Sequence, residues 1–89
     1  MIFFEDTEDL REWLEQLDYD AFWEAIEPFG LFDDGARDSN ARNIAKGRVT
    51  RESSLRTLKF LARVFLTRDL GLKPRIYEPL AVQALKSTH

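Results

Sequence analysis

Eighty-nine residues, 44% apolar and 12% aromatic, fit one domain spanning 1–89 with material for a single core. The absence of cysteine excludes disulfides, thiolate zinc sites and a thiol nucleophile. The net charge of −3 hides a division: thirteen acids and two bases precede Ala41, while three acids and eleven bases follow from there, a pattern that goes with charged partners or with halves that dock on each other.

No apolar run approaches the roughly 18 residues of a membrane span. Residues 1–6 lack the basic and long apolar regions of a secretion signal. The expectation is a cytoplasmic protein with no membrane contact.

Leu10, Trp13, Leu14 and Leu17 follow the i, i+3, i+4, i+7 spacing of an amphipathic helix. Thr7 is the expected cap, with Glu8 and Asp9 at the positive end of the helix dipole. Glu8, Glu12 and Glu15 fall on the opposite side. Tyr19, Phe22, Trp23 and Ile26 repeat the spacing in a second helix, capped by Asp18 or Asp20 and ended by Pro28. The short link predicts a helical hairpin.

Residues 28–35 combine one proline, two glycines and paired aspartates, which makes a loop. Its Phe29, Leu31 and Phe32 are expected to tuck under the hairpin. A short third helix is expected over about 40–46, capped by Asp38 or Ser39 and terminated by a left-handed Gly47.

The fourth helix, 51–70, has Thr50 as its cap and Gly71 past its end. Leu55, Leu58, Leu61, Ala62, Phe65 and Leu66 share one arc of it, with Phe60 and Val64 outside that arc. A helix apolar on most of its circumference belongs at the centre of a core. Its narrow polar strip carries Arg56, Lys59 and Arg63. Residues 73–77 read as extended, and Pro79 suits the start of a last short helix through Lys86. The fold class is all-α: four or five short helices around one long central helix, with a small β element near 1–4 or 75–77 as a further option.

Catalytic, cofactor and metal motifs are missing from the pattern. The only histidine is His89, so the usual base–nucleophile pairs cannot form. The loop from Asp33 places its glycine third rather than sixth and has Ile44 where a calcium loop has glutamate. Gly30, Gly35, Gly47 and Gly71 form no phosphate-binding motif. The protein is therefore expected to be neither an enzyme nor a cofactor carrier.

Four surfaces remain. The helix–glycine–helix outline across Gly47 resembles a helix-turn-helix, in which Arg51, Ser53, Ser54 and Arg56 would approach bases and Arg42, Lys46 and Arg48 phosphates. The acidic pI of about 5.1 weighs against nucleic acid. The ridge Arg56, Lys59, Arg63 either grips an acidic partner or pairs with Glu8, Glu12 or Glu15. The acids of the first two helices are either a solvated face or a lure for basic partners. The aromatics Phe3, Phe4, Phe29, Phe32, Phe60 and Tyr77 exceed what one small core needs, which points to a homodimer or a partner groove.

The leading expectation is an interaction module that binds a protein partner, or itself, through Phe29, Leu31, Phe32, Glu12 and Glu15. The alternative is a small nucleic-acid-binding regulator using Arg42, Lys46, Arg48, Arg51, Arg56, Lys59 and Arg63.

Overall fold

A computed structural model describes residues 4–75. The order is α1 (Thr7–Glu15), α2 (Tyr19–Ile26), a short 3-10 turn (Glu27–Phe29), α3 (Ala36–Ala45) and α4 (Arg51–Leu70). The all-α architecture stands. Among the described residues there is no strand, and Phe4 and Arg75 lie in irregular chain. The rest of the two candidate β stretches and the expected helix from Pro79 lie outside the described residues.

Caps explain the boundaries. Asp6, not Thr7, caps α1: its carboxylate accepts from the Asp9 N–H at 2.9 Å. Thr7 is instead the first helical residue and is buried. Both side chains can cap a helix, and the backbone assigns the role to the residue that stays extended, Asp6. Asp18 caps α2 through the Ala21 N–H, and Thr50 caps α4 through the Ser53 N–H. Gly71 closes α4 in a left-handed conformation, with N–H bonds from Gly71 to Arg68 and from Leu72 to Thr67. That pattern satisfies the last carbonyls and folds Leu72 back onto the core.

The third helix begins four residues before the expected 40. Gly35, at φ 96°, turns the chain directly into it with no side-chain cap, so the polar Asp38 and Ser39 lie inside the helix. No residue of α3 is buried, which is why apolar spacing could not mark its start. Gly47 terminates it in the left-handed region as expected.

Leu10, Leu14, Phe22, Ile26, Ala62 and Leu66 form the dry centre, each at most 3% exposed. Fully burying one such large side chain contributes about 1.5–3 kcal/mol. The dominant helix contacts are α1 with α4 and α2 with α4. The short link thus sets both helices leaning on α4 rather than chiefly on each other. The long helix is the common support, yet the described residues cover only one side of it. Phe60, Val64 and Leu70 remain exposed.

Aromatic contacts knit the loop to the core. Trp13 bridges Phe4 and Phe29, with centroids 5.2 and 6.3 Å away. Trp23 touches Tyr19, Phe22 and Phe32, and Phe32 continues to Phe65 at 6.0 Å. Such tilted and edge-on pairs contribute beyond their buried area.

α3 rests Ala36 and Ile44 against the core and is also attached by polar contacts. The Tyr19 hydroxyl donates to Asn40 Oδ1, and Asn40 Nδ2 donates to Ser54 Oγ at 3.2 Å. One asparagine therefore ties α2, α3 and α4 together.

Candidate functional site

Lys59, near the middle of α4, donates from Nζ to the Glu15 carbonyl at 3.3 Å. The last carbonyls of a helix lack intrahelical partners and carry the negative end of its dipole, so a lysine there docks α1 onto α4. Beside this contact runs a groove of ≈ 290 Å³. Arg11, Leu14 and Glu15 form the α1 bank, and Arg56, Phe60 and Arg63 join Lys59 on the α4 bank.

Phe60 is the most exposed large apolar side chain described, at 63%. It lies four residues after Arg56, three before Arg63 and four before the exposed Val64. These spacings place all four on one stripe of the helix.

The charge of the groove follows from how the acids of α1 are used. Arg11 bonds Glu8 at 3.0 Å and Glu15 at 2.8 Å within its own helix. Those hydrogen bonds, Glu8's first and Glu15's second, hold the Arg11 guanidinium above its ordinary value. Glu12 lies 3.8 Å from Arg75. None of Arg56, Lys59 and Arg63 forms an ion pair with an acid among the described residues. The pairing of this ridge with Glu8, Glu12 or Glu15, one of the two expectations, is replaced by Lys59 on a backbone carbonyl. The groove keeps its positive charge.

Of the residues expected to meet a partner, Glu15 lines this groove, and the others lie elsewhere. Phe29, Leu31 and Phe32 are half-buried and packed against the core. Leu31 and Phe32 also border a second cleft of ≈ 290 Å³, with Trp23 and Ile26 beneath and Glu27, Asp33, Asp34 and Arg37 around it. The indole N–H of Trp23 is buried without a hydrogen-bond acceptor among the described residues. Glu12 and Glu15 are exposed but each faces an arginine.

The basic residues of the alternative reading divide. Arg42, Lys46 and Arg48 are exposed around the end of α3, with Arg48 reaching Asn43 at 3.4 Å. Arg51 lies over the Tyr19 ring at 5.3 Å, and Ser54 is buried against Asn40. The first turn of α4 thus directs two of its four base-reading candidates at the protein itself.

Two features lay outside the expected partner site. Phe60 and Val64 stood outside the apolar arc at i, i+4 spacing, which was a legible sign of an unpartnered stripe. Arg75 gave no sign: it joins Asp6, Asp9 and Glu12 from the far end of the described chain.

Among the described residues no helix is long and apolar enough to cross a membrane, and no three acidic or histidine side chains group as metal ligands would. No protein-family model matches the chain, and neither a curated protein nor a solved structure matches it.

Proposed function

We propose that this protein is a non-enzymatic interaction module that holds a protein partner in the groove between α1 and α4. The observation that carries the reading is Phe60, 63% exposed and set between arginines that have no acidic partner among the described residues. An isolated exposed apolar residue is ordinary. An aromatic in a groove, extended by Val64 and rimmed by arginine, has the composition of an interface centre. The Phe29, Leu31 and Phe32 loop is a weaker candidate, because its aromatic rings already serve the core.

The test compares capture from host extract by the immobilised protein and by Phe60→Ser. Circular dichroism confirms that the variant keeps its helices. The expected result is a partner held by the parent and lost by the variant. Equal capture by both would overturn the reading.

Exposed Arg42, Lys46 and Arg48 support a second reading, nucleic-acid binding. Contact with about four phosphates would make log affinity fall against log salt with a slope near −3.6 on duplex DNA. No binding to mixed-sequence DNA at low salt would dismiss it.

A further inference from the structure

We infer that the occupant of the α1–α4 groove is an acidic amphipathic helix. This rests on the groove being the binding face and adds the chemistry of what fills it.

Three observations select that occupant. The first is charge complementarity: Arg56, Lys59 and Arg63 are the charges of the α4 bank and form no ion pair among the described residues, while Glu15, the one acid lining the groove, is bonded to Arg11 beside it. A partner with carboxylates there gains both attraction and orientation.

The second is the apolar stripe. Phe60 and Val64 lie one turn apart, both exposed. A bare polyanion leaves them in water, whereas a helix with an apolar face covers them.

The third is spacing. The three cations recur at i, i+3 and i+7 and rise along about 10 Å of α4. Carboxylates at the same intervals on a second helix rise by the same amount. That helix would rest against both α1 and α4, completing a three-helix packing.

A second copy is a poor occupant. Two-fold pairing through this groove would set Arg56, Lys59 and Arg63 against their own copies.

The probe is a synthetic helix with leucines on one face and glutamates flanking them. Its control is a scrambled peptide of identical composition, with leucines scattered around the helix. Fluorescence anisotropy reads binding to the full chain. The amphipathic peptide should bind, and more weakly as salt is raised. The scramble and the Phe60→Ser variant should each reduce affinity by about tenfold or more, the loss of a central aromatic anchor. Arg56→Glu with Arg63→Glu should do the same while leaving the helix signal intact.

Equal binding of both peptides would overturn the inference in favour of a simple polyanion site, as would mixed-sequence DNA competing better than the peptide. No binding of either peptide would also overturn it, as would growth of mass with protein concentration in light scattering. If Phe60→Ser still loses its captured partner in extract, only the acidic helix falls. If capture is unchanged, the groove itself is not the binding face.

Discussion

Arg75 reaches back to Asp6 from the other end of the described chain: its Nε lies 3.0 Å from Asp6 Oδ2. Its Nη2 lies 2.9 Å from Asp9 Oδ1, and the neighbouring backbone bond from Thr7 N–H to the Lys73 carbonyl holds the same two segments together. The entry to α1 and the segment leaving α4 are thereby clamped, with Asp6 serving as both helix cap and ion-pair partner.

The clamp predicts a pH dependence. The hydrogen bond from Arg75, joined by the Asp9 backbone N–H, holds the Asp6 carboxyl below its usual 3.8. The folded protein therefore favours ionised Asp6. Its stabilising contribution is complete well above pH 3.8 and is lost as pH falls from there through the lower folded value. Asp6→Asn keeps a capping oxygen but removes the charge. It should lower the unfolding midpoint at pH 7 and flatten the decline of stability below about pH 4. Urea midpoints measured from pH 2 to pH 7 for both proteins check this.

Two phenylalanines should respond oppositely. Phe32 packs between Trp23 and Phe65, so Phe32→Ser should cost about 2 kcal/mol, less than a fully buried phenylalanine would. Phe60 projects into solvent, and Phe60→Ser should change stability by no more than about 0.5 kcal/mol. Urea unfolding of the two variants separates a core role from a surface role.

Much of this organisation was legible in the sequence. Tyr19, Phe22, Trp23 and Ile26 follow helical spacing and are all buried, and Thr50 and Gly71 bound α4 as their chemistry requires. The start of α3 was not legible. Gly35 supplies no capping side chain, and no buried residue lends the helix a period. The fate of the α1 carboxylates was equally hidden. Glu8 and Glu15 found Arg11 nearby, but Glu12 found Arg75, and nothing local distinguishes those outcomes. Helical spacing isolated Phe60 from the apolar arc. Only the way α1 and α2 lean on α4 shows that the described residues leave its stripe uncovered.

Asn40 is expected to matter more than its position on an exposed helix suggests. Asn40→Ala removes the acceptor of the Tyr19 hydroxyl and the donor to Ser54, two groups on buried residues. The loss should be about 1–2 kcal/mol. A cycle with Tyr19→Phe should show non-additivity, since both changes break the same bond.

Gly71 holds φ 65° at the end of α4. Gly71→Ala forces a Cβ into the left-handed region and should cost about 1 kcal/mol, although open space surrounds the position. Gly71→Asn should cost less, because asparagine tolerates that conformation. Thermal midpoints of the three proteins give the order.

The claim that matters most is that the α1–α4 groove meets the partner. A photoreactive benzophenone amino acid replaces Phe60 or, as control, the exposed Glu24 on α2, and each protein is irradiated in host extract. The account predicts a discrete adduct from position 60 and none from position 24. An adduct from position 24 with none from position 60 would contradict it.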